Sequence, residues 1–178
     1  LIDTAEKAYW LGFIAADGYV TKSTLGIRLK AADREHLEKF KAFINTDCPV
    51  KLYTAKIQDK EYDACSIFVF SKKLIQDLAK HGIVQNKTLS CFYPETIPCE
   101  FERDFWRGFV DGDGSITSTT DVKRNRTVLR WSLSVTGGIR IISDFQKFVK
   151  TVIRTNSKIK KKTNSDFAVY FSLTGNNK

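Results

Sequence analysis

Two aspartates in this 178-residue chain close the same unusual nonapeptide. Trp10-Leu11-Gly12-Phe13-Ile14-Ala15-Ala16-Asp17-Gly18 returns, 96 residues on, as Trp106-Arg107-Gly108-Phe109-Val110-Asp111-Gly112-Asp113-Gly114. The first copy is apolar on every face, which reads as a buried helix. An ionised carboxylate at the end of such a helix is costly unless it is paired or bound to a cation. Two helices with this ending, packed side by side, bring Asp17 and Asp113 together. Neighbouring carboxylates repel, and one pKa rises unless a divalent ion lies between them. Carboxylate oxygens suit Mg2+, with water and substrate phosphate completing its shell. Packing alone accounts for Gly12 and Gly108: a mid-helix glycine costs about 1 kcal/mol but admits another backbone closely. It does not account for the aspartates. Nor is Asp111–Ser115 a calcium loop of the EF-hand kind, since Ile116 and Val122 stand where that loop needs Gly and Glu.

The elements around each motif repeat as well. Asp3, followed by Glu6, reads as a helix N-cap, and Gly18 as the C-terminal cap. Thr24–Lys30 alternates polar and apolar, the mark of a half-buried strand, and Val128–Ser134 alternates likewise at an offset of 104. Amphipathic helices follow, through Leu37, Phe40, Phe43 and Ile44 and through Ile142, Phe145, Phe148 and Val149. Strand pairs come next: Val50–Ile57 with Tyr62–Phe70, and Lys158–Lys162 with Phe167–Leu173. A third helix, Ser71–His81, ends at His81-Gly82 in the first set. In the second set its counterpart would begin near Thr174–Lys178. The chain therefore reads as one domain of two αββαββ halves, about 1–84 and 100–178, joined by 85–99. A unit this long signals internal duplication, not a solenoid.

Composition narrows the function. The net charge is +9, and residues 1–114 contribute −1 while residues 115–178 contribute +10. Such asymmetry points to a polyanionic partner. Cys48, Cys65, Cys91 and Cys99 form no C-x-x-C pair, so neither a zinc site nor a disulfide framework is expected. His36 and His81 are too far apart in sequence to suggest a Ser-His-Asp hydrolase. No apolar run approaches a membrane span, and no signal peptide is visible. The expectation is an intracellular protein acting at DNA, not secreted, with no membrane partner and no small-molecule substrate.

The paired motifs, each followed by the same strands and helix, resemble the LAGLIDADG homing endonucleases of the single-chain, two-motif type. The resemblance runs over nearly the whole chain. It implies an α+β fold, a duplicated αββαββα unit with a central helix pair crossing at Gly12 and Gly108. Two antiparallel sheets would form a saddle over double-stranded DNA. It implies a monomer, since the duplication supplies both halves. Asp17 and Asp113 would hold divalent metal at the scissile phosphates, with Ala16 and Gly112 assigned to the same metal site. The cofactor would be Mg2+, with Mn2+ able to substitute and Ca2+ supporting binding without cleavage. The activity implied is metal-dependent hydrolysis of one phosphodiester on each strand, a staggered double-strand break with short 3′ overhangs. Lys87 is the candidate basic residue near the phosphates and Lys30 a weaker one. One departure is Ala15, which stands where the second copy has Asp111. Three alternatives share the ancestry: an intron RNA maturase, a non-cutting regulator and the endonuclease domain of an intein.

The binding surface follows from strand alternation, because one strand face packs on helices while the other stays free and the major groove admits a β-ribbon. Leu25, Ile27 and Leu29 point inward, leaving Thr24, Gly26, Arg28 and Lys30 outward. Leu129, Trp131 and Leu133 point inward, leaving Arg130, Ser132 and Ser134 outward. Lys22, Lys51, Tyr53, Lys158, Lys160 and Lys162 extend the polar set. Asp121–Thr127, with Lys123, Arg124 and Arg126, reads as a basic hairpin loop on the DNA backbone.

Overall fold

A computed structural model describes residues 1–87, 90–123, 126–162 and 169–176. Helix α1 (Ala5–Asp17) starts at Thr4, whose side chain accepts the Lys7 backbone N–H at 3.2 Å. Asp3 was the sequence expectation for that cap, but its carboxylate instead accepts from the Lys7 ammonium at 2.6 Å. Strands β1 (Gly18–Val20), β2 (Thr24–Lys30), β3 (Lys51–Ile57) and β4 (Lys60–Phe70) form an antiparallel sheet in the order β1-β2-β4-β3. Helix α2 (Arg34–Phe43) follows β2, and α3 (Lys72–Lys80), capped by Ser71, follows β4. Gly82 ends that turn at φ +77°, the left-handed conformation a glycine supplies without strain.

The second half repeats the plan. It holds α4 (Glu102–Asp113), β5 (Gly114–Lys123), β6 (Arg126–Gly137), α5 (Ile139–Val152), β7 (Lys160–Lys161) and β8 (Val169–Asn176), with sheet order β5-β6-β8-β7. Helices α1 and α4 pack on each other through the two motif glycines. A Cβ on Gly12 would collide with the Phe105 carbonyl oxygen, and one on Gly108 with the Tyr9 carbonyl oxygen. The contact is reciprocal, backbone on backbone, and only glycine permits it. Gly18 is the C-terminal cap of α1, as expected, its backbone N–H donating to the Ile14 carbonyl; it and Gly114, the cap of α4, are extended, at φ −72° and −90°. Each is small because a Cβ would strike the carbonyl four residues back, that of Ile14 or Val110.

Four further expectations change. Gly18 faces Ile27 in the first sheet and Gly114 faces Val135 in the second, so β2 and β6 correspond at an offset of 108, not 104. The slip is even, and every side chain keeps its face. It moves the covered stretch, however: Leu133 and Val135 are the counterparts of Leu25 and Ile27, while Leu129 and Trp131 run past the core and are 36% and 47% exposed. Asp121–Thr127 is largely strand, since the β5–β6 ladder continues to the pair Lys123 and Arg126. Between Lys158 and Lys162 only Lys160 and Lys161 are strand, and β8 extends through Thr174 to Asn176. Phe167 and Arg124 lie outside the described residues.

Candidate active site

Asp17 and Asp113 are the last residues of α1 and α4 and are both half-buried. The α1–α4 crossing sets their neighbours. A Cβ on Gly112 would lie 2.5 Å from the Ala16 Cβ and 3.2 Å from Asp17 Oδ2, so the Asp17 carboxylate rests against α4's final turn. Burial raises the Asp17 carboxyl above the ordinary carboxylate range; Lys87 opposes the shift and Asp33 adds to it. Burial and the Asp17 charge push Asp113 up to about 6, against Lys87 and Lys162.

Lys87, a candidate from the linker, lies at the end of α1. Its side chain is only 8% exposed, and its ammonium donates to the Ala15 carbonyl at 2.8 Å and the Ala16 carbonyl at 3.1 Å. These belong to the last turn of α1, where carbonyls lack intrahelical partners. Burial lowers the Lys87 pKa, opposed by Cys91, Asp113 and Asp17 in that order. The linker thus carries a cation to the helix ends, a placement its position in sequence does not reveal.

An open cleft flanks Asp17. Phe13, Arg28, Lys30, Asp33, His36, Asp111 and Gly112 line it with Asp17. Arg28 is fixed by aromatic rings on its own sheet, its guanidinium 5.4 Å from the Tyr19 centroid and 5.6 Å from that of Phe68. Lys30, exposed on β2, stands in the same wall. Sequence reasoning missed the polar group behind it. The Tyr9 hydroxyl donates to Asp111 Oδ2 at 2.7 Å and lies 3.3 Å from His36 Nε2. A signal existed: Tyr9 becomes Phe105 in the second motif, and Asp111 answers to Ala15 in the first. The polar pair spans the α1–α4 interface, and its repeat counterparts Phe105 and Ala15 are both buried.

The remaining expected contacts spread over both sheets. Lys22 is exposed between β1 and β2, Thr24 is half-buried, and Lys51 and Tyr53 are exposed on β3. Arg130, Ser132 and Ser134 are half-buried on β6. Lys158 is exposed outside any strand, Lys160 lies 5.9 Å from the Tyr170 ring centroid, and Lys162 is exposed yet close enough to bias Asp113. Gly26, expected on the free face, is buried because the Tyr19 ring covers it.

The donor set fits a hard divalent cation. Both carboxylates resist ionisation in the metal-free protein, and a cation relieves that cost. Among the described residues no group of three or more His, Cys, Asp and Glu could hold a metal ion. An ion here would therefore take two carboxylates at most and need water or phosphate oxygens besides. Among the described residues no helix is long and apolar enough to cross a membrane.

Comparison with known proteins agrees with this architecture. Residues 4–80 match the LAGLIDADG-like domain family. No curated protein matches the chain by sequence. The LAGLIDADG meganuclease I-AabMI, solved bound to uncleaved DNA, is similar at a TM-score of 0.60 and 14% identity, over 94% of this chain and 78% of that one. The homing endonuclease I-WcaI, bound to its DNA recognition sequence, gives 0.62 and 15%, over 96% and 76%. The N-terminal LAGLIDADG domain of DUF199/WhiA gives 0.58 and 16%, over 98% and 77%. At these identities the likeness is one of fold.

Proposed function

We propose that this chain, which has the LAGLIDADG fold and carries a LAGLIDADG-like domain over residues 4–80, is a site-specific endonuclease that makes a staggered break in duplex DNA. The observation that carries the reading is the pair Asp17 and Asp113, half-buried at adjoining helix ends, with the Lys87 ammonium on the last carbonyls of α1. A structural helix pair has no use for two desolvated carboxylates. The two sheets straddle the target duplex, with Arg28, Lys30, Lys51, Arg130 and the Lys158–Lys162 segment on phosphates and base edges. The protein acts as a monomer.

Asp17 and Asp113 would hold Mg2+, or Mn2+ in its place, with Gly112 adjoining; the Ala16 carbonyl assigned to the same site already accepts from Lys87. When bound, the metal supplies Lewis-acid stabilisation of charge at the scissile phosphate. The residues of the chain do the rest. Asp17 serves one strand and Asp113 the other. Lys87 holds positive charge near the developing phosphate charge, and buried Phe13 in the cleft wall limits water beside Asp17.

The test is a randomised duplex library bound in Ca2+, followed by exchange of the bound fraction into Mg2+. Staggered cuts at one long shared sequence are expected, with Asp17→Asn and Asp113→Asn each losing double-strand cleavage while retaining binding. Full cutting by either variant would refute the assignment. The match to the WhiA domain favours a second reading, a non-cutting DNA-binding protein of this fold. Specific binding without any cut in Mg2+ selects it.

A further inference from the structure

The two sheets turn different chemistry outward. Directly opposite residues of an antiparallel sheet share a face. Leu25, Ile27, Cys65 and Ile67, at most 1% exposed, mark the face of the first sheet that packs on the core. The register puts Tyr19, Gly26 and Phe68 in one row of the other face, with Arg28 opposite Ser66 and Phe70 opposite Thr24. That face continues along β3 and β4 as Lys51 opposite Ser66, Tyr53 opposite Ala64 and Ala55 opposite Tyr62. Phe70 is 75% exposed and Tyr62 48%. A single exposed ring is ordinary, but several on one face mark a contact surface. Arg28, Lys30, Lys51 and Lys60 share the face with the rings, and among the described residues no Asp or Glu does; Glu61 and Asp63 belong to the opposite one. The second sheet differs at equivalent places. Its row matching Tyr19, Gly26 and Phe68 is Ser115, Ser134 and Ser172.

We propose that the aromatic face of the first sheet reads thymine methyl groups in the major groove, so that the half of the target under it is recognised through its thymines more strongly than the half under the second sheet. The inference rests on the reading of the chain as a protein of duplex DNA, cutting or not. A face with cations and no carboxylate suits a polyanion, which selects DNA over an apolar protein partner. Within the major groove the one apolar mark is the C5 methyl of thymine, and apolar side chains recognise it by contact. Phe70 and Tyr62 supply that contact. Arg28, set against Tyr19 and Phe68 at 5.4 and 5.6 Å, is held ready for a guanine edge or a phosphate beside them. Serine hydroxyls donate or accept, so the serine row of the second sheet serves any base and separates them less.

The probe is the duplex recovered by library selection in Ca2+, resynthesised with deoxyuridine for thymidine in one half at a time. The exchange removes the methyl and keeps the base pairing. Fluorescence anisotropy at fixed salt reads the affinity of the full chain. Uracil in one half is expected to weaken binding about fourfold for each methyl in contact, and uracil in the other half less than about twofold in all. The double variant Phe70→Ala/Tyr62→Ala, both exposed positions, abolishes the larger loss. Leu52→Ala, exposed on the opposite face of β3, keeps it. An equal loss in both halves, no loss in either, or a loss that the double variant leaves intact or that Leu52→Ala also abolishes overturns the inference and leaves the DNA reading standing. Failure to select any duplex overturns the DNA reading itself, and this inference with it.

Discussion

Trp10 meets Phe13, Phe40 and Phe43 at centroid distances of 5.8, 5.1 and 5.9 Å. Trp106 meets Phe109, Phe145 and Phe148 at 5.9, 5.2 and 5.9 Å. The interplanar angles, 86°, 56° and 28° against 85°, 56° and 27°, repeat as closely. Around these two cages the polar residues diverge. His36 gives way to Ile141, Arg28 to Thr136 and Lys30 to Gly138 at equivalent places, and Tyr9 with Asp111 gives way to Phe105 with Ala15. Close packing fixes the cages, because a core tolerates little change in volume or shape. The rim faces water or substrate and is free to differ. The result is a two-fold scaffold with differing chemistry at its rim: sheet residues line the cleft beside Asp17 with positive charge, and the linker brings Lys87 to the last carbonyls of α1.

The scaffold half of that comparison is broken most severely at the helix crossing. Gly12→Ala and Gly108→Ala each drive a methyl into a carbonyl on the opposite helix, and no side chain can yield. Each is expected to cost at least about 3 kcal/mol, read from denaturant midpoints. Equal losses sharpen the two-fold picture; a mild loss at one glycine breaks it. A smaller contrast comes from the equivalent residues Val20, 6% exposed, and Ile116, 70% exposed. Val20→Ala is expected to cost about 2 kcal/mol and Ile116→Ala under about 0.5 kcal/mol. Thermal melts of both variants check whether the second sheet lacks the cover that the first has.

Sequence made the scaffold legible and left the rim obscure, for physical reasons. Backbone contact at Gly12 and Gly108 admits one residue type, and an acid after an apolar helix demands a cation, so both signals survive in the letters. Strand faces were also readable, since alternation has a period of two. The same period hid the four-residue difference in register, because an even slip leaves each side chain on its face. Alternation likewise tells which way Leu129 and Trp131 point but not whether anything lies over them. Lys87 was ambiguous because lysine is ordinarily exposed; only the path of the linker buries it. The Tyr9–Asp111 pair was recoverable from covariation between the two motif copies, which change together at both positions.

The chemical half of the comparison is tested by pH. Burial and Asp17 push the Asp113 carboxyl up to about 6, from an ordinary 3.8. Between those values the folded chain binds more protons than the unfolded chain, so stability falls as pH rises through the window, and the full cost remains above it. Asp113→Asn removes that cost. In chelator at pH 7 it should stabilise the protein by roughly 1–2 kcal/mol and flatten the pH dependence of the melting temperature. Asp17→Asn is expected to be stabilising as well, since burial also raises the Asp17 carboxyl. A loss of stability in either variant in chelator overturns the burial cost assigned to the pair.

A small effect is also expected at Tyr9, whose hydroxyl reaches across the helix interface to Asp111. The hydroxyl donates to an ionised acceptor at 2.7 Å, a bond worth about 1.5–3 kcal/mol when both groups are shielded. Here Asp111 is exposed, so water replaces the lost donor and Tyr9→Phe should cost less than about 1 kcal/mol. A double-mutant cycle with Asp111→Ala separates that bond from packing: a coupling of about 0.5–1 kcal/mol assigns the loss to the pair. Zero coupling would mean that Tyr9 contributes only its ring, held under the Arg107 guanidinium at 4.9 Å. The cycle has no mirror image in the second half. Ala15 is 5% exposed and its carbonyl is bonded to Lys87, so an acid there would be buried under the linker instead of open to water. Position 111 can carry a charge because its side of the crossing is the open one.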